Sequence, residues 1–380
     1  MTNGRSHHLS ARLRSVVAGA LLLGASPPAQ APAPRIPLIK GLTVTHAVST
    51  PEGDYESTAT IGAVSSTGMM VTVSGDVPNS QSKRPETVSV DRMVRTVDLA
   101  EARIYKTWFN SMDDAVIPGT TAMGLSTREI NDIRAKGQVT LTLDGSRGGL
   151  ASMVGGLLGA LGDSKAAKSA KAALGAGPAA SGTLKLVELK PVALSILVNG
   201  ARAQLGAWHL RGRLGEGDDA KAVDFYVLDD PANPLALRYT NGDDKLEVTR
   251  IDFPDPNEDR IIERELANDR RTALYGIFFD FNSATIRPRS EPVLREIVVV
   301  MSRHPDWALK IEGHTDDIGG AAKNLTLSSQ RAAAVRQALI ERGVAENRLT
   351  TAGYGASVPR ETNTTLTGRA RNRRVELSRQ

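Results

Sequence analysis

Between residues 40 and 253 apolar side chains recur at every second position in short runs, and this period of two specifies a succession of β-strands. The runs are Glu56–Val64, Met69–Ser74, Thr87–Val94, Val139–Leu143, Thr183–Leu189, Ala193–Val198, Val223–Leu228, Leu235–Tyr239 and Lys245–Asp252. Asp229-Asp230-Pro231 and Asn241-Gly242-Asp243 separate the last three with hairpin chemistry, which predicts an antiparallel meander. A β-rich domain, a sandwich or a half-barrel, is expected over 40–253. A Gly/Ala/Lys-rich insertion at 148–182 interrupts it. There Leu150, Met153, Val154, Leu157, Leu158 and Leu161 fall on one helical stripe. Gly155, Gly156, Gly159 and Gly162 weaken such a helix by up to ~1 kcal/mol each, which favours a flap over the β domain rather than a helix lying on a membrane.

The pattern changes after residue 253. Pro254 and Pro256 close the β domain, and 254–273 reads as a connecting helix. From 274 to 380 strands and helices alternate as β-α-β-α-β. Ile277–Phe281 is strand-like, and Ser290-Glu291-Pro292 opens a helix with a capping hydroxyl, an acid and a proline. Leu309, Ile311 and Gly313 alternate with Lys310 and Glu312 on a second strand. A helix from Leu325 to Arg342 carries the stripe Ser328, Ala332, Val335 and Leu339 and stops at Gly343. Arg373–Leu377 closes the domain as a strand. The fold class expected for the whole chain is α+β.

The first 31 residues have the form of a secretory signal: a basic stretch from Arg5 to Arg14, an apolar run from Val16 to Ala25, and Ala29-Gln30-Ala31 as a small-x-small cleavage triplet. A Pro/Ala linker follows at 32–39. The formal net charge is +5, and removal of Arg5, Arg12 and Arg14 leaves about +2, so the basic balance is no argument for nucleic acid as a partner. The chain has no cysteine, hence no disulfide and no thiol to carry a lipid. Aromatic residues make up 4%, too few for the two girdles of a membrane barrel.

Five segments in fixed order carry a resemblance. They are FDFNSATI at 279–286, GHTDDIGG at 313–320, NLTLSSQRAAAV at 324–335, GYG at 353–355 and NTTLTGRARNRRVE at 363–376. Together they make residues 270–380 similar to the OmpA-like (OmpA/MotB) C-terminal peptidoglycan-binding domain. The resemblance implies a mixed sheet with helices on one face and a ligand, the diaminopimelate of the peptidoglycan stem peptide. It also implies a periplasmic, wall-associated protein at the outer membrane of a Gram-negative-type cell, with no cofactor and no metal. By the same resemblance Asp316 and Arg331 hold the two charges of diaminopimelate, Asn324 supports them, and Thr315, Asp280, Leu327 and Tyr354 line the pocket. The chemistry agrees. Diaminopimelate ends in an ammonium and a carboxylate on one carbon. A carboxylate takes the first, and the planar fork of an arginine takes the second with two bonds. Arg369, Arg371, Arg373 and Arg374 are expected to support the ligand loop and the closing strand.

Signs of catalysis are weak. The six histidines include no pair at metal-ligand spacing. Ser80-Gln81-Ser82-Lys83 fits an SxxK pattern, but in a polar loop between Pro78 and Pro85 and without companion motifs. Asp316-Asp317 are adjacent on a loop, where carboxylates diverge more often than they form a dyad. The expectation is a non-catalytic protein whose β-rich domain, 40–253, meets an envelope protein or outer-membrane lipid. The alternative is a wall-targeted enzyme with its active site in that domain.

Overall fold

The computed structural model describes residues 34–78, 85–107, 115–144, 180–254 and 261–380. The signal segment, the SxxK stretch and nearly all of the 148–182 insertion lie outside the described residues. The N-terminal region contains β1 (Thr43–Thr50), β2 (Gly53–Ser65), β3 (Gly68–Val77), β4 (Glu86–Arg95), β5 (Ile104–Lys106), β6 (Thr120–Thr121) and β7 (Gln138–Asp144). It continues with β8 (Ala180–Leu186), β9 (Val192–Val198), β10 (Ala201–Leu214), β11 (Lys221–Leu228), β12 (Ala236–Asn241) and β13 (Asp244–Asp252).

These strands form one 13-stranded sheet in the order β4-β3-β2-β1-β13-β12-β11-β10-β8-β7-β5-β6, with β9 paired to both β10 and β13. The double pairing closes β9 to β13 into a ring. β9 runs antiparallel to the first half of β10 and parallel to Arg250 and Ile251 at the end of β13. The region is thus a long curved sheet wound partly into a barrel. β11, β12 and β13 are the antiparallel meander that the turn residues announce.

Two helices are added that strand periodicity hides, α1 (Thr96–Glu101) and α2 (Thr127–Lys136). α2 starts on a reciprocal cap. The Ser126 hydroxyl accepts from the Glu129 amide at 3.3 Å, and the Ser126 amide donates to the Glu129 carboxylate at 2.9 Å. Ile130 and Ile133 then pack into the core under β7, β8 and β10 to β12. β1 and most of β10 also escape the sequence pattern.

The C-terminal region contains α3 (Ile261–Asn268), β14 (Arg271–Leu274), α4 (Glu291–Arg303), β15 (Leu309–Gly313), α5 (Ala321–Glu341), β16 (Leu349–Gly353), α6 (Leu366–Asn372) and β17 (Val375–Arg379). The sheet order is β14-β17-β15-β16, with β15 and β16 parallel and the other pairs antiparallel. Leu309, Ile311, Val375 and Leu377 face the helices and form one core with Ile297, Val300, Val335 and Leu339. The alternate positions, Lys310, Glu312, Glu376 and Ser378, form the other face.

Four local expectations are corrected. The first strand is Arg271–Leu274, not Ile277–Phe281. Its half-polar sequence hides it, whereas Ile277 and Phe278 are apolar because they are buried anchors. Ser290 does not cap α4. Its hydroxyl instead accepts from the Phe278 amide at 2.8 Å and donates to the Phe278 carbonyl at 3.2 Å. α5 begins at Ala321 rather than Leu325, and the closing strand begins at Val375 rather than Arg373.

Ala33–Gln380 cluster as one compact unit. The cores of the two regions stay distinct. They share a buried apolar cluster of Ala47 of β1 with Leu366 and Ala370 of α6, and polar contacts lie around it.

Candidate binding site

β15 runs into His314, Thr315 and Asp316, and neighbouring backbone holds this turn in place. The Thr315 amide donates to the Gly355 carbonyl at 2.9 Å, and the Tyr354 amide to Gly313 at 2.9 Å. Asn324, at the start of α5, donates through its side-chain amide to the carbonyls of Asp316 (3.1 Å) and Ile318 (3.2 Å). The Thr315 hydroxyl donates to the Asp316 carbonyl at 2.9 Å. Thr315 and Asn324 therefore shape the loop through its backbone. The Asp316 carboxylate is buried, 7% exposed. One oxygen accepts from the Ile318 amide at 3.1 Å and the other from Arg373 at 2.7 Å.

Arg331 extends from α5, three turns into the helix. Its Nε donates to the Ser283 carbonyl at 3.0 Å, and its guanidinium lies over the Phe279 ring, 4.8 Å from the centroid. It forms no ion pair among the described residues. Burial, then the neighbouring Arg373 charge, push its pKa down to about 10, while Glu56 and Asp316 act in the opposite sense. Asp316 and Arg331 are thus brought into one electrostatic neighbourhood without pairing with each other.

The other expected residues divide. Asp280 sits on the loop that presents Ser283 and accepts from Arg287 at 3.0 Å. Leu327 is half-buried on α5 and offers only apolar surface. The Tyr354 hydroxyl is engaged elsewhere, accepting from Lys310 at 2.7 Å and donating to Glu312 at 3.1 Å. Its ring stacks on His314, with centroids 5.3 Å apart. Two residues not singled out in the sequence, Phe279 and Ser283, complete the geometry around Arg331, and of the four arginines expected to support the ligand loop it is Arg373 that bonds Asp316. Arg373 lies in a quoted motif, yet nothing local separates it from its three neighbouring arginines.

Tyr354 belongs to a polar cluster on the open face of the sheet. Glu312 and Glu376 stand directly opposite each other, and Arg271 bridges them. Burial alone would raise the Glu312 carboxyl, but bonds from Lys310, Arg271 and Ser378 outweigh it and hold the pKa at about 2. Glu312, His314 and Glu376 each place a ligand atom within 4.8 Å of the others. A divalent cation does not fit there, because Arg271, Lys310, Arg360 and Arg374 already surround the two carboxylates.

His314 is 2% exposed and neither ring nitrogen has a hydrogen-bond partner among the described residues. Burial, then the Arg374 charge, push its pKa down to about 4. A histidine held neutral in this way stabilises the fold above its unfolded pKa of about 6.5, and that contribution disappears as the pH falls through 4. Denaturation between pH 6.5 and 4 is expected to show wild-type stability falling more steeply than that of His314→Gln, by up to about 1.4 kcal/mol per pH unit. Equal slopes would mean that this ring does not titrate on unfolding.

The model of the OmpA family matches residues 278–373. The chain is 43% identical over 100 residues to outer membrane porin F of Pseudomonas fluorescens, covering 26% of this chain and 31% of the porin. It is 38% identical over 101 residues to the peptidoglycan-binding protein ArfA of Mycobacterium tuberculosis, covering 27% of this chain and 31% of ArfA. Among solved structures, the peptidoglycan-associated lipoprotein from Burkholderia pseudomallei is 31% identical and covers 27% of this chain and 88% of that one, with a TM-score of 0.26. The chain thus spans about a third of the length of the two curated relatives.

Proposed function

We propose that the C-terminal domain binds peptidoglycan non-catalytically and holds the zwitterionic end of diaminopimelate between Asp316 and Arg331. One observation carries this: a half-buried arginine, gripped at Nε by a carbonyl, has no hydrogen-bond partner for its two terminal nitrogens among the described residues, beside a buried carboxylate. Burying a guanidinium without a counter-charge is costly, and a ligand carboxylate relieves that cost through two parallel bonds. Asp316 accepts one bond on each oxygen and retains lone pairs for an ammonium. Arg373 keeps that carboxylate aimed. Asn324 and Thr315 fix the loop, Asp280 and Leu327 form its rim, and Tyr354 supports it from the cluster on Glu312. The relative named as peptidoglycan-binding, ArfA, supports the same ligand.

In this account the protein sits in the periplasm, associated with the wall, and the β-rich region faces an envelope partner. The cleft described on that region is lined by Tyr55, Val73, Val88 and Tyr239 but also by Asp244 and Lys245, a mixed surface that suits a protein better than an acyl chain. Co-sedimentation with purified diaminopimelate-type sacculi tests the site. Wild type should pellet with the sacculi, and Asp316→Asn should lose at least ten-fold in retention. Undiminished retention of Asp316→Asn would remove Asp316 from the site.

A further inference from the structure

We infer that the β-rich region closes the wall-binding face: a sheet surface carrying Asp54, Glu56 and Asp76 is docked on the arginines around Arg331, and peptidoglycan binds when that surface moves away. This rests on the proposed role of Asp316 and Arg331.

The contacts follow from strand register. β13, β1 and β2 lie side by side, with Glu247 opposite Ala47 and Ala47 opposite Glu56. Side chains at alternate positions share a face, so Asp54, Glu56 and Thr58 of β2 point the same way as Ala47 and Glu247. That face meets the C-terminal domain at every step. Glu247 accepts from Thr367, and Ala47 packs on Leu366 and Ala370. Asp54 pairs with Arg369, and Asp76 of β3 with Arg287. The Thr58 hydroxyl accepts from Arg289 at 3.2 Å, and the Ser195 carbonyl of β9 from Arg371 at 2.9 Å.

The docked elements are also the ones that build the candidate site. Arg287 contacts both Asp76 and Asp280, so it ties the loop that grips Arg331 to β3. α6 leads directly into Arg373, the partner of Asp316. Glu56 stands between Asp54 and Thr58 on the docked face. It forms no ion pair among the described residues, and its charge acts on both Arg331 and Arg289. A carboxylate of this chain therefore faces the guanidinium proposed to receive the ligand's carboxylate.

The interface has the composition of one that opens. Among the described residues its buried apolar cluster holds only Ala47, Leu366 and Ala370, and the other contacts named above are polar. Closure holds the arginines with internal acids, and a ligand must compete with them.

The chain has no cysteine, so a lock can be introduced cleanly. The full chain carrying Ala47→Cys and Ala370→Cys, oxidised, should lose at least ten-fold in retention on diaminopimelate-type sacculi and recover on reduction. Asp54→Asn/Asp76→Asn, which removes docking charges outside the candidate site, should bind several-fold better than wild type. Closure is overturned if the oxidised form binds as well as the reduced form, or if the Asn variant binds no better than wild type. Arg331→Ala, measured alongside, separates the two ideas. If it keeps full retention, the binding site itself is misassigned. If it loses retention while the locked form binds normally, the site stands and the closure fails.

Discussion

Arg331→Lys is expected to lose wall retention almost as completely as Arg331→Ala, although the charge is kept. The guanidinium does three things where it stands. It donates Nε to the Ser283 carbonyl, lies over the Phe279 ring, and has no hydrogen-bond partner for its two terminal nitrogens among the described residues. An ammonium has neither the plane nor the fork, and a buried lysine sheds its proton more readily than an arginine does. Removing one partner of a desolvated charge pair costs about 2–5 kcal/mol, or roughly thirty-fold to several thousand-fold in affinity. Retention of both variants should therefore fall to the background seen without sacculi. A Lys variant that binds like wild type would show that only a positive charge is required.

Gly313→Ala is expected to damage stability and binding together. Gly313 and Gly353 pair across β15 and β16, and α5 lies directly on them. A Cβ on Gly313 would stand 2.1 Å from the Ser328 carbonyl oxygen, and one on Gly353 2.4 Å from the Ser329 amide. Backbone atoms that close must retreat, and α5 carries Arg331 less than one turn further along. Overpacking of this kind costs about 1–3 kcal/mol, more where a helix has to move. Denaturant unfolding should show the loss, and binding should fall even at temperatures where the variant is folded. Gly320→Ala, where a Cβ meets nothing within 4 Å, is the control and should behave as wild type.

Much of this architecture is legible in the residues, because the signals are local. Alternation at Met69–Ser74 and Val223–Leu228 reports one buried sheet face, and Ser328, Ala332, Val335 and Leu339 report one buried helix stripe. The misses are long-range or double-edged. Arg271–Leu274 is a strand because β17 pairs with it, not because its own composition asks for one. Ser290 has the look of a cap, but its hydroxyl finds a stronger pair of partners in Phe278. Ser126 and Glu129 form a capping box visible in the sequence, masked by the strand pattern around it.

The site divides in the same way. Asp316, Arg331, Asn324 and Thr315 sit in two adjacent motifs, and the turn and helix bring them together. Arg373 reaches Asp316 across 57 positions of chain. Glu56 reaches Arg331 only because a distant sheet docks there. Neither relationship leaves a trace in local spacing.

A domain that holds diaminopimelate between Asp316 and Arg331 reads a zwitterion rather than a lone positive charge. The most direct measurement is calorimetric titration of the full chain with two soluble stem tripeptides, one ending in meso-diaminopimelate and one in L-lysine. They share the side-chain ammonium and differ in the carboxylate beside it. Binding of the diaminopimelate peptide at least about thirty-fold tighter is predicted, the equivalent of about 2 kcal/mol lost with the arginine contact. Equal affinity for the two peptides would contradict the account.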